Sequence, residues 1–180
     1  IDRQKRMAWA EALEILEASP DRISSVWPAA GPGGVGGGEL AHVSPEGQRR
    51  WKSEVLLDQL GRIGRDRVMA QVDAIGGVEV RPAPGDEESD SLLGRRTRIE
   101  CVVDAEGFLG MRQYRSHKIV RLDSMPLASA QINALPVWEG NEVFSSLPQG
   151  SRVRLIAPPG GTPVICTDQG LSLIHISEPT

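Results

Sequence analysis

The chain has 180 residues, a formal net charge of −4, 4% aromatic residues and two cysteines, Cys101 and Cys166, far apart in sequence. That length makes one or two small domains with a modest core, and the cysteine spacing excludes both a disulfide framework and a C-x-x-C zinc site. No apolar run approaches the roughly 20 residues of a membrane span, so the inventory fits a monomeric protein of the reducing cytoplasm, with no membrane partner.

Residues 1–18 satisfy two templates. Ala8, Ala10 and Ala12 favour helix by propensity, while Trp9, Leu13 and Ile15 also share one face at period two; taken alone, helix is slightly preferred. Ser19-Pro20-Asp21 ends the element either way. From Trp27 to Val43 the chain is glycine-rich, and Gly31-Pro32-Gly33-Gly34-Val35-Gly36 spells G-x-G-x-x-G. Context rejects a dinucleotide loop, which needs a buried strand before the glycines and a helix starting among them. Pro28 and Pro32 would both break that strand, and the next helix signal comes only at Ser44-Pro45. A surface loop that exploits the freedom of glycine is the plain alternative.

Ser44-Pro45 is a helix start, with serine as N-cap and proline at N1. Trp51, Val55, Leu56, Leu60 and Ile63 follow at helical spacing, Gly61 or Gly64 marks the end, and a weaker helix covers Asp66 to Ala74. Pro82 to Asp90 reads as an acidic, turn-rich connection. Three strand-like runs, Arg98–Val103, Phe108–Arg115 and Lys118–Leu122, then form an antiparallel meander with a turn at Asp104–Gly107. Residues 127–138 look helical. Arg152–Ile156 and Pro163–Cys166 form a hairpin across Pro158–Thr162.

Basic charge concentrates in the meander. Between residues 95 and 121, seven arginines and lysines face three carboxylates, a local net charge of +4 in an acidic chain. Such a surface neutralises phosphates, although an ordinary charged sheet face has the same composition. Tyr114, between Arg112 and Arg115, offers a face on which a base could stack. The last ten residues, Leu171 to Thr180, resemble a translated transposase sequencing adapter, encoded in order by CTG TCT CTT ATA CAC ATC TCC GAG CCC ACG. Residues 171–180 are therefore set aside, which leaves His42 and His117, a net charge of −3, and the expectation that the biological sequence stops at about Gly170.

The order Ser19-Pro20-Asp21-Arg22, Trp27 to Val43, Gln48-Arg49-Arg50-Trp51-Lys52, Gly110-Met111-Arg112-Gln113-Tyr114-Arg115-Ser116-His117 and Met125-Pro126-Leu127-Ala128 resembles one family across nearly all of residues 1–170. It is that of the S-adenosylmethionine-dependent RNA uracil-5-methyltransferases with an N-terminal TRAM domain. The resemblance implies an α+β chain. Residues 1–18 would be the last strand of the OB-like TRAM barrel, which overrules the helix preference. Residues 19–44 would be a former cluster loop, and 45–170 a central RNA-contacting domain with a β-meander and helices. The Rossmann-like methyltransferase domain, with the S-adenosylmethionine site, would be missing.

Many members hold a 4Fe–4S cluster on four cysteines. By resemblance Trp27, Val35, Gly38 and Met125 occupy those four positions, with the C-x-x-C separation kept between Val35 and Gly38 and the gap after Trp27 about two residues longer. Clusters need thiolates, so the resemblance implies a coherent loss of the cluster, with Trp27 and Met125 filling the space as apolar packing. The family's chemistry uses a cysteine thiolate that attacks C6 of uracil and a base that removes the C5 proton, on a flipped uridine. Neither Cys101, mid-strand in an apolar context and expected in the core, nor Cys166 matches that nucleophile motif. No catalytic residue is expected in this chain, which should be silent alone. RNA contact is assigned to Arg98, Arg112, Arg115, Ser116 and His117. His117 reads equally as a structural histidine, and His42 reads as structural. Two functions follow: a piece of a methyltransferase acting on ribosomal or transfer RNA, or a noncatalytic RNA-binding scaffold.

Overall fold

The computed structural model describes residues 2–4, 7–9, 12–31, 33–86, 92–140, 142–168 and 170–172. They form two compact units, Ile1–Ser25 with Leu40–Pro84, and Val26–Glu39 with Gly85–Thr180.

The first unit begins with a two-stranded antiparallel hairpin, β1 (Asp2–Gln4) and β2 (Met7–Trp9), in register Asp2↔Trp9. Strand therefore prevails over the local helix preference here, but it stops at Trp9, and Leu13, Ile15 and Leu16 lie exposed. The long helix α1 (Pro45–Ala74) starts as its sequence predicts: the Ser44 hydroxyl accepts from the Gly47 N–H at 3.1 Å, with proline in the first turn. Its entry is fixed by a bridge between Arg22 and Val43, an ion pair between Arg50 and Asp21, and the Gln48 side chain donating to the Leu40 and Val43 carbonyls, both at 3.0 Å. Arg65, with φ 50° and ψ −156°, breaks α1 one residue past Gly64, where the two predicted helices meet. The stripe of Trp51, Val55, Leu56 and Ile63 is exposed.

The second unit is built on an open antiparallel sheet in the order β5-β4-β3-β6-β7-β8. Its strands are β3 (Arg98–Val103), β4 (Leu109–Arg112), β5 (Ile119–Arg121), β6 (Arg152–Ile156), β7 (Val164–Thr167) and the edge strand β8 (Gly170–Ser172). The meander and the hairpin read from the sequence thus join through β3 and β6, with Ile99 opposite Leu155 and Cys101 opposite Val153. One face carries Ile99, Cys101, Val103, Leu109, Val153, Leu155 and Ile165, all buried. Ile132, Leu135, Val137, Trp138 and Phe144, from the connection between β5 and β6, are buried as well.

The helix expected over 127–138 shrinks to one turn, α2 (Ala130–Asn133), and a second short helix, α3 (Glu142–Ser145), follows. The cause lies in backbone pairing upstream: Gly94 and Arg96 N–H groups donate to Pro126 and Leu127 carbonyls at 2.9 and 2.8 Å, and the Ala128 N–H donates to the Met125 carbonyl at 2.9 Å, so these residues form a turn before the helix. Pro136 disfavours helix at the residue before it.

Candidate nucleic-acid interface

At the end of β4 the chain makes a tight turn. The Gln113 N–H donates to the Lys118 carbonyl at 2.8 Å, and the Ser116 N–H to the Gln113 carbonyl at 3.0 Å. The Ser116 hydroxyl accepts from the Lys118 N–H at 3.1 Å. Arg115 lies in the left-handed region at φ 56°. The turn therefore projects its side chains outward, and an open groove of about 840 Å³ runs along it. Arg112, Arg115, Ser116 and His117 all line that groove, so four of the five predicted contacts come together.

Within the turn, Arg112 Nη1 lies 3.2 Å from His117 Nδ1. Because guanidinium only donates, this contact requires an unprotonated Nδ1 and leaves the Nε2–H as a donor. The Arg115 guanidinium sits 5.1 Å from the centroid of the Tyr114 ring, which is 62% exposed. A stacked cation and an open aromatic face together suit a base and its phosphate.

Arg98 stands apart. It does not line the groove; it lies exposed at the start of β3, four residues from Val102, where β4 pairs. At about 3.3 Å per residue that is about 13 Å along the strand.

Two arginines that the sequence reading left out belong to the same sheet face. Arg152 and Arg154 of β6 alternate with buried Val153 and Leu155, and their Nε atoms lie 4.0 and 2.8 Å from the Glu100 carboxylate. Arg152 and Glu100 both line the groove. The signal was available: Arg-Val-Arg in a strand puts both arginines on one face. Other meander cations are already engaged. Arg121 pairs with Glu106 at 2.8 Å and Asp104 at 3.4 Å and lies over Phe108, and Arg95 pairs with Asp86. Among the described residues no carboxylate is within ion-pair distance of Arg98 or Arg112.

Neither cysteine is set up as a nucleophile. Burial, reinforced by Glu100, pushes the Cys101 thiol up to about 12, and the free Cys166 is half-buried on β7. His42 is exposed, and its backbone carbonyl accepts from the Ile23 N–H at 3.0 Å.

Of the four positions that the resemblance assigns to cluster ligands, Trp27, Val35 and Met125 are 4%, 2% and 2% exposed, and Gly38 is half-buried. An indole, an isopropyl group, a thioether and no side chain at all do not fit an iron–sulfur cluster. Among the described residues no group of three or more His, Cys, Asp or Glu is placed to hold a metal ion, and no helix is long and apolar enough to cross a membrane.

No family model matches the chain. Its sequence is 37% identical over 165 residues to an uncharacterized RNA methyltransferase of Bifidobacterium longum, covering 87% of this chain and 35% of that protein. A second uncharacterized RNA methyltransferase, from Streptomyces avermitilis, is 32% identical over 179 residues, covering 94% of this chain and 41% of its own length. The chain is thus similar over most of its length to proteins named RNA methyltransferases, and it spans well under half the length of either. The resemblance to the uracil-5 branch finds its counterpart in the 23S rRNA (uracil(1939)-C(5))-methyltransferase RlmD of Halomonas elongata. That enzyme is 31% identical over 169 residues, which cover 91% of this chain and 32% of the relative.

Proposed function

We propose that this chain is the RNA-holding part of an S-adenosylmethionine-dependent methyltransferase that modifies C5 of a uridine. It grips RNA through the groove at the 112–117 turn, and the chemistry is supplied by residues elsewhere in the protein. The observation that carries this reading is the grouping of Arg112, Arg115, Ser116 and His117 around one exposed tyrosine on a groove where Arg152 adds a further positive charge. Arg98 and Arg154 extend the positive face along β3 and β6. The reading keeps residues 1–18 as the end of a TRAM barrel, 19–44 as a former cluster loop and 45–170 as the central domain, and it treats 171–180 as adapter-derived although Leu171 and Ser172 pair with β7 in β8.

In this reading S-adenosylmethionine provides the methyl group, and this chain's own residues bind and orient the RNA. Arg112 and Arg115 neutralise phosphates, Tyr114 offers a ring to an unstacked base, and the His117 Nε2–H donates to a base or phosphate oxygen. Arg112→Ala and Arg115→Ala in the intact protein should each weaken RNA binding and lower the slope of log affinity against log salt by about 0.7–0.9. Unchanged affinity and slope in both would remove this site from the RNA path. The alternative, a noncatalytic RNA-binding scaffold, predicts the same binding losses and no methyl transfer; incorporation of labelled methyl into uridine by the intact protein separates the two.

We also propose that the protein carries no iron–sulfur cluster, since buried Trp27, Val35 and Met125 stand where thiolates would be needed. Purified under argon, the intact protein should contain no stoichiometric iron or sulfide and show no cluster absorption.

A further inference from the structure

The geometry points to the glycine-rich segment as a brace for the RNA-contacting turn, with Gln113 as its positioning residue; this rests on the RNA reading of the groove. Three consecutive residues of the segment engage two consecutive residues at the base of the turn. The Gln113 side-chain amide donates to the Gly33 carbonyl, the Tyr114 N–H donates to the Gly34 carbonyl at 3.0 Å, and Val35 forms an antiparallel bridge with Gln113. The segment therefore adds a short strand-like rung beside the end of β4, on the side of the turn away from Lys118.

The brace is itself anchored. Val35 is 2% exposed, and its N–H donates to the Ala29 carbonyl at 2.8 Å. At Gly34 a Cβ would lie 2.1 Å from the Ala29 carbonyl oxygen, so only glycine permits this close passage of backbone. Gln113 is thus gripped on both sides: its backbone closes the turn with Lys118 and Ser116, and its side chain reaches the segment.

What the brace achieves follows from the next two residues. Tyr114 is tied through its backbone N–H while its ring stays exposed, and Arg115 stacks on that ring. A ring fixed in place before binding loses less freedom when a base stacks on it. Gln113 suits the task because its amide donates to a carbonyl; a glutamate of the same length would set a carboxylate oxygen against that carbonyl and lose the bond.

The test uses Tyr114 as its reporter. Incorporating 3-fluorotyrosine into the intact protein gives a fluorine resonance for Tyr114, assigned by its loss in Tyr114→Phe. Gln113→Ala should move that resonance toward the position of free tyrosine without RNA present. It should also weaken binding of a fluorescein-labelled RNA hairpin with a uridine-rich loop about fivefold. Because Gln113 acts through Tyr114, adding Tyr114→Ala to Gln113→Ala should leave affinity within about twofold of Tyr114→Ala alone. Gln113→Glu, which keeps size and loses the donor, should repeat the fluorine shift and covers the case in which the alanine variant does not fold. An unmoved resonance in the folded variant, or losses that multiply in the double variant, overturns the brace. A moved resonance alongside Arg112→Ala and Arg115→Ala proteins of unchanged affinity overturns the RNA reading and the role inferred for Gln113 within it.

Discussion

In α1, Trp51, Val55, Leu56 and Ile63 recur at helical spacing and all four are exposed; in β3 and β6, Ile99, Cys101, Val153 and Leu155 alternate with charged residues and all four are buried. Both patterns are equally regular in sequence. The helix forms because its start is encoded locally, in Ser44 and Pro45. The sheet forms because two hairpins distant in sequence share a buried face. Periodicity therefore specifies the element, and a facing partner decides whether its apolar side does any stabilising.

The largest test of that contrast compares matched truncations. Leu155→Ala, in a fully buried site, should lower unfolding free energy by about 2–5 kcal/mol. Ile63→Ala, at 81% exposure, should change it by less than about 0.5 kcal/mol in urea denaturation. Equal losses would mean that the helix stripe is packed in solution. Ser44→Ala comes next: loss of the cap should cost about 1 kcal/mol and reduce far-ultraviolet helix signal, while exchange protection of the Cys101 and Val153 amides stays unchanged.

The smallest effect concerns pH. Burial alone would raise the Asp104 carboxyl, but hydrogen bonds from the Phe108 and Glu106 N–H groups, with Arg121, hold it below its ordinary 3.8. A lowered folded-state value contributes stability that is complete above the unfolded value and lost as pH falls through the folded one. Acid titration should therefore loosen the 104–107 turn only below about pH 4, and Asp104→Asn should flatten that dependence. A loosening of the turn centred at neutral pH would contradict this assignment.

Much of the local structure was legible. The Arg98–Val103 strand, the Arg152–Ile156 strand, the start of α1 and the break near Gly64 follow from alternation, turn residues and capping. Four of the five candidate residues line one groove because they adjoin one another in sequence, at the end of a strand. What escaped was non-local. Nothing near Arg152 announces that β6 lies beside β3, and so Arg152 and Arg154 were read as strand positions without their link to Glu100. The shortening of α2 depends on pairing with residues 94–96, about thirty positions upstream in sequence. The rung between Val35 and Gln113 joins a glycine-rich segment to a turn almost eighty residues away.

Arg115 holds one last consequence. A non-glycine residue in the left-handed region carries a conformational cost of about 1 kcal/mol or more, which glycine in its place would remove. The turn thus retains a side chain where its backbone alone would favour none. On the proposed function, a phosphate held by that guanidinium would supply binding energy that a glycine could not.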